Sequence, residues 1–545
     1  MLSLLGFIII LGPLVIVHEL GHYFFARIFG VKAEIFSVGF GPRLWKKQLG
    51  ETELRISAIP LGGYVKLMGE DRESELSPED MKRALHKQVP WKRFFIFFGG
   101  PLFNFLLAIV VFMAIFAIGE PKVASVVGRV VQGSAAERAG FEAGDRIVSV
   151  EGNLVKSFEE VAVVISENPG KQLRFEVKRK DSGQAQTVLA TPERSQGFSL
   201  YGEATHVGDI DGLSPAPRAA TLGISNLESP AGQAGLRTGD RITAINGMPI
   251  ANWEELERFY RNAAPGSELR LAIEPTESSD SERVKEALLR KPESGAEMAQ
   301  AWGLHSSELF VEKTMPDSPA EAGGVRRGDR LIGVGPVKVQ SFLDLRSAIQ
   351  KSGEKEGKVL LKWEREGREF SELLKPTATE VRDPIMNKAM QYTIGVAPML
   401  EIGAPETYVE RIWNPAVLLY KATERMVTFV WRNFVAIQKM FTGDVSVNTL
   451  GGPIMIGKIA GESLTRGLTA FLATMAILSI GLGVLNILPV PVLDGGHLLL
   501  LGLEMIRGKP LTIKTMEVIQ LVGLSLILLL MAVVLKNDFA RLTYF

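Results

Sequence analysis

Cysteine is absent from all 545 residues, which excludes disulfide stapling of any exposed domain and removes thiolate as a nucleophile or metal ligand. A metal bound here must be held by His, Asp or Glu. A surplus of either charge is lacking too. The 61 Lys and Arg balance 61 Asp and Glu, so the global charge attracts neither nucleic acid nor a strongly acidic partner. An even spread of apolar residues is also missing: they concentrate towards both ends, and the length exceeds one ordinary domain, so several units are expected.

Four apolar runs are long enough to cross a bilayer, at residues 2–25, 94–118, 468–493 and 518–535. The last three are uncharged, and the first is interrupted only by His18, Glu19 and His22. A cleaved signal peptide is the alternative for the first run. It fits poorly, because Lys and Arg are absent before Arg27 and His-Glu interrupts the end of the run. Residues 27–93 carry thirteen Lys or Arg, and the loop near Arg507, Lys509 and Lys514 carries three, which places both loops in the cytoplasm. Residues 119–467 and both termini then lie on the opposite face.

One pattern recurs three times in that middle region. Ser134-Ala135-Ala136 runs to Gly144-Asp145, Ser229-Pro230-Ala231 to Gly239-Asp240, and Ser318-Pro319-Ala320 to Gly328-Asp329, each with 11 residues from Ser to Asp. The copies start 95 and then 89 residues apart, the size of a small domain rather than of a solenoid unit. Each reads as a Ser-capped helical turn ended by Gly, followed by a β-branched strand. The pattern resembles the PDZ domain, most completely in the second copy through Asn246-Gly247, and implies capture of peptides by strand addition beside a helix. Modules are expected at 120–193, 220–300 and 305–378. The polar stretches 192–219 and 274–298 read as linkers or loops.

The chemistry sits in the first run. His18-Glu19-Leu20-Gly21-His22 places two imidazoles at i and i+4 on one helical face, able to share one ion, with Glu19 free to act on a water. Zinc suits two imidazoles, a carboxylate and a water. Ionisable groups at membrane depth cost several kcal/mol unless paired, coordinated or solvated, so a functional site is expected. Candidates for a third ligand in or beside the other spans are Asn104, Asn486, Asp494 and His497. Asp494 lies in a stretch of two prolines and two glycines, Pro489 to Gly496, that breaks the third helix. Such a break at membrane depth must be buried or line a wet cavity.

The pairing of H-E-x-x-H on the first span with N-x-x-P-x-x-x-L-D-G from Asn486 to Gly495 resembles the site-2 protease family. Leu61 to Lys66, Gly99 to Asn104 and Gly451 to Ile454 further resemble its bacterial RseP branch, so the likeness covers essentially the whole chain. It implies an intramembrane zinc endopeptidase of the inner membrane. His18, His22 and Asp494 would be the zinc ligands and Glu19 the general base. With Asp494 completing the set, His497 is expected, like Asn104, to stand behind the ligands as a partner. The implied substrates are single-span proteins of the anti-sigma-factor type, cut after an upstream site-1-type protease, and remnant signal peptides.

The fold class that follows is a multi-domain membrane protein, with a four-helix core, a membrane-associated β element and three tandem PDZ-like α+β modules outside the membrane. Residues 1–118 hold the first two spans and 466–545 the last two. Residues 53–57 and 59–68 read as strands turned around Gly62-Gly63, whose edge an extended substrate could join. Gly62, Gly63 and Tyr64, with Asn486, Pro489 and Pro491, are the expected substrate clamp. Within 405–465, residues 413–440 mix apolar residues with Lys421, Arg425, Arg432 and Lys439, which suits a helix on the membrane surface better than a fifth span. RseP-type proteases usually carry two PDZ modules, so a third departs from the pattern. The competing reading is a non-catalytic PDZ scaffold, for which an intact Glu19 has no evident use.

Overall fold

The computed structural model describes residues 2–69, 77–180, 182–198, 204–276, 284–382, 388–443, 445, 450–509 and 511–542. It divides into two compact units, Met1–Glu120 with Val409–Phe545, and Pro121–Leu200 with Ala204–Tyr408.

Helices dominate the first unit: α1 (Leu2–Ile28), α2 (Pro90–Ile118), α3 (Pro415–Thr442), α4 (Pro453–Arg466), α5 (Leu468–Ile487), α6 (Asp494–Arg507) and α7 (Ile513–Leu542). Among the described residues four stretches are long and apolar enough to span a membrane: Leu5–Ile28, Pro90–Ile118, Leu468–Ile487 and Lys514–Ala540. The third ends at Ile487 rather than at the expected 493, because the proline-bearing stretch after it forms a turn. The helices meet through small residues. A Cβ on Gly99 of α2 would stand 2.6 Å from the Gly21 carbonyl oxygen of α1, and one on Gly6 of α1 would stand 2.8 Å from Ala460 of α4. Such close backbone approach gives packing where lipid removes any hydrophobic drive. α3 lays Ala422, Met426, Phe429 and Val430 against Phe112 of α2 and Ile480 of α5. Asp538, 2% exposed near the end of α7, accepts hydrogen bonds from the backbone amides of Gly452, Ile454 and Met455 at 2.9, 3.0 and 3.2 Å, capping α4.

Two long strands, β1 (Ala33–Leu49) and β2 (Thr52–Leu67), lie between α1 and α2. Here the expected hairpin needs correction. The two halves of β2 do not pair with each other. Both pair with the start of β1, Phe36 facing Val65 on one side and Leu54 on the other, while the end of β1 pairs back on the first half of β2. Bends at Gly39 and Gly41, with φ of 88° and 83°, and at Gly62, with φ of 117°, permit this folding. One outer edge is Gly63 to Lys66 and the other is Arg43 to Leu49, and no further strand joins Gly63 to Lys66 on its outer side among the described residues.

The second unit contains three four-stranded antiparallel sheets of identical strand order. Their central pairs are Arg146–Val150 with Leu173–Lys178, Arg241–Ile245 with Glu268–Glu274, and Arg330–Val334 with Val359–Arg365. The recurring Ser and Asp are turn caps. Ser134, Ser229 and Ser318 accept from the backbone amides three residues on, each at 3.3 Å. Asp145, Asp240 and Asp329 accept from Glu142, Arg237 and Arg326 amides at 2.8, 2.9 and 2.7 Å. Each sheet packs on one helix, Phe158–Glu167, Trp253–Asn262 or Phe342–Glu356.

Closing strands Leu213–Ser214, Leu304–Ser306 and Val396–Pro398 lie beyond the ends expected at 193, 300 and 378. The expected linkers are not plain loops either: 192–219 holds the paired strands Glu193–Phe198 and Ala204–Asp209, and 274–298 holds the sheet strand Glu286–Arg290. Their polar composition reflects solvent-facing edges, not absence of structure. The modules touch one another through the buried Arg129–Glu308 pair at 2.7 Å and the Lys180–Glu255 pair at 3.1 Å.

Candidate active site

α1 places His18 and His22 one turn apart, and the turn after α5 brings Asp494, the first residue of α6, to meet them. His18 Nε2 lies 3.2 Å from Asp494 Oδ2, His22 Nε2 lies 3.5 Å from Oδ1, and the two Nε2 atoms are 3.3 Å apart. Among the described residues these three form the group whose ligand atoms lie mutually within 4.8 Å. Gly100 of α2 makes room: a Cβ there would overlap His22 Nε2 and stand 2.6 Å from His18 Cε1.

The far ring nitrogens fix the tautomers. His22 Nδ1 donates to the Ile96 carbonyl at 2.7 Å, which leaves Nε2 as a bare acceptor. His18 Nδ1 stands 3.1 Å from the side-chain amide of Asn104, which is fully buried and whose Oδ1 lacks a partner. Exchanging the amide oxygen and nitrogen lets Oδ1 accept the Nδ1 proton, satisfies that oxygen and bares the second Nε2. Asp494 Oδ2 is likewise buried without a hydrogen bond. Two imidazole lone pairs and a carboxylate then converge with no proton between them, an arrangement that fits a divalent cation of the zinc type.

Glu19 sits beside the outer edge of the sheet. A Cβ on Gly63 would be 3.4 Å from Glu19 Cγ. Tyr64 stacks on Phe40 at 6.1 Å, and Arg55 approaches its hydroxyl at 3.5 Å. A Cβ on Gly62 would strike the Phe40 ring, so side-chain bulk is excluded there. Asn486 Nδ2 lies 3.5 Å from His18 Nε2, while Pro489 and Pro491 form the turn leading to Asp494. His497 stacks on Phe97, with ring centres 4.9 Å apart, and stands outside the ligand group. Sequence reasoning missed the Ile96 carbonyl and Gly100. The i+4 periodicity of Ile96 and Gly100 with Asn104 on α2 is the signal that could have found them.

Two imidazoles and a carboxylate within reach of one ion, on a helix long and apolar enough to span a membrane and beside a second carboxylate, fit a membrane metallopeptidase. The model of peptidase family M50 matches residues 6–530, and the chain belongs to that family. The regulator of sigma-E protease RseP of Escherichia coli is 29% identical over 547 residues, and its counterpart in Salmonella typhimurium is 29% identical over 548, with 99% of both chains covered in each case. A Neisseria meningitidis protein carrying a provisional zinc metalloprotease name is 32% identical over 544 residues, again with 99% of both chains covered. The chain is a zinc metalloprotease of the site-2 type, with four apolar helices that fit an inner-membrane protein.

Proposed function

We propose that this protease cleaves single-span membrane proteins of the anti-sigma-factor type within the bilayer after an upstream site-1-type cut, and also clears remnant signal peptides. His18, His22 and Asp494 hold the zinc, and Glu19 is the general base. The observation that carries this reading is the convergence of three bare acceptors, 3.2 to 3.5 Å apart, beside a carboxylate and an unjoined strand edge. Zinc held there supplies Lewis acidity towards the scissile carbonyl and the attacking water. Glu19 takes the proton of that water and returns it to the leaving amine. Asn104 and the Ile96 carbonyl keep the imidazoles oriented throughout.

A peptide bond inside a helix is shielded by its own hydrogen bonds, so the substrate must be drawn out. The Gly63 to Lys66 edge offers main-chain groups for an added strand beside Glu19, with Asn486, Pro489 and Pro491 as the opposing clamp. The three modules are PDZ-like peptide-binding domains on the extracytoplasmic side, opposite the basic loops. They bar substrates that still carry bulky domains. The α3 helix lies at the membrane surface beside α2; it is not among the four helices apolar enough to span.

The test is cleavage of a single-span substrate by the purified chain, with zinc quantified. Glu19→Gln should lose cleavage by about 10²-fold or more while keeping zinc. Asp494→Ala should lose both. Full activity in Glu19→Gln would overturn the assignment of the base.

A further inference from the structure

The turn between α5 and α6 is strained and enclosed by glycines from two helices. Val492, a β-branched residue two positions before Asp494, has φ of 85°. Such a conformation is unfavourable for a β-branched residue and persists only where the surroundings over-determine it. Two constraints come from the first turn of α6. A Cβ on Gly495 would collide with the Ile487 and Leu488 carbonyls, and one on Gly496 would collide with the Val490 carbonyl and stand 2.8 Å from Pro491 Cα.

The third constraint comes from a distant part of the chain. Gly523 of α7 lies so close to the turn that a Cβ would overlap the Pro491 side chain and carbonyl group. This contact stands out because α7 touches little else, with only 6% of its span buried. Its far end is fixed by Asp538 on α4, about 22 Å along the helix at 1.5 Å per residue. Gly12, Gly481 and Gly502, in α1, α5 and α6, have nothing within 4 Å of a Cβ, so tight contact is not general to glycines of these helices.

We propose that Gly523 is a positioning residue: through it α7 braces the Pro491–Val492 turn and holds the Asp494 carboxylate at the His18–His22 pair. The absence of a side chain at 523 lets the helix rest directly on the turn. The backbone there cannot relax from its strained state, and Asp494 is delivered with its oxygens facing both Nε2 atoms. This rests on the assignment of Asp494 as a zinc ligand.

The measurement is zinc affinity of the full chain by chelator competition, alongside cleavage. Gly523→Ala should bind zinc about 10- to 100-fold more weakly. Gly481→Ala and Gly502→Ala should stay within about twofold of wild type, since both positions are open. Gly523→Val, which sets a larger side chain against the same Pro491 carbonyl, should bind zinc more weakly still. If Gly523→Ala binds zinc as Gly481→Ala does, or Gly523→Val binds no more weakly than Gly523→Ala, the bracing role is overturned. Should Gly523→Ala fail to accumulate, Asp538→Asn decides, because it loosens the far end of α7 without adding bulk at the turn: weaker zinc binding supports the brace, and binding equal to wild type overturns it. A wild type that holds no zinc would instead remove the ligand assignment, and this inference with it.

Discussion

In the three-module unit each sheet closes over a core of large side chains, as Trp253, Leu256, Leu271 and Trp302 do in the second module, whereas in the membrane unit helices meet where side chains are missing, at Gly6, Gly21, Gly99 and Gly100. The difference follows from the solvent. In water, burying apolar area stabilises at about 25 cal/mol per Å², so bulk inside a module is useful. In lipid that gain vanishes, and contact improves when backbones approach. The two units should therefore fail in opposite directions, by large-to-small change in one and small-to-large change in the other.

The sharpest way to break that contrast is Trp253→Ala, which should cost the second module about 3–5 kcal/mol. Hydrogen exchange should accelerate across 220–306 while zinc content holds; zinc lost in parallel would mean the units are not independent.

The next test uses pH. Burial and the Arg330 guanidinium, 3.2 Å away, push the His305 imidazole down to about 4 from its usual 6.5. The folded state then binds fewer protons than the unfolded state between these values. The stabilisation is complete above pH 6.5 and is lost as pH falls towards 4, up to about 3 kcal/mol in all. Denaturant titrations of wild type and His305→Asn should diverge across that window and run parallel above it.

On the membrane side, Gly100→Ala drives a methyl group into both imidazoles and should weaken zinc binding about 10- to 100-fold, while Gly12→Ala should change nothing measurable. Equal effects from the two would remove the case for close packing at the site. The smallest change is Ser229→Ala, which removes one cap and should lower module stability by about 1 kcal/mol in the same denaturant assay.

The parts of this molecule that could be read from sequence are those encoded locally. The i and i+4 histidines need only a helix, and the Ser-to-Asp spacing needs only a capped turn feeding a strand. Asp494 was one of four polar candidates in or beside the spans, marked by the prolines and glycines around it, and only the resemblance to the site-2 protease family singled it out. By contrast, β1 was missed. Its end, Arg43 to Leu49, carries no alternation, and the pairing of its start with both halves of β2 depends on contacts far apart in sequence. The closing strands escaped for a similar reason, being only two or three residues long and paired with chain far away in sequence. Gly100 and Gly523 were silent because a glycine's role lies in what stands next to it.

The scant burial of α7 has a consequence for where the enzyme lives. At thirty residues the helix is about 45 Å long, against a hydrocarbon layer of roughly 30 Å, so it must tilt or protrude. Its contacts with protein are few, chiefly at Gly523 and Asp538, so a change in the thickness of the surrounding bilayer loads those contacts. Acyl-chain length thereby becomes a physical variable acting on the turn against which Gly523 rests.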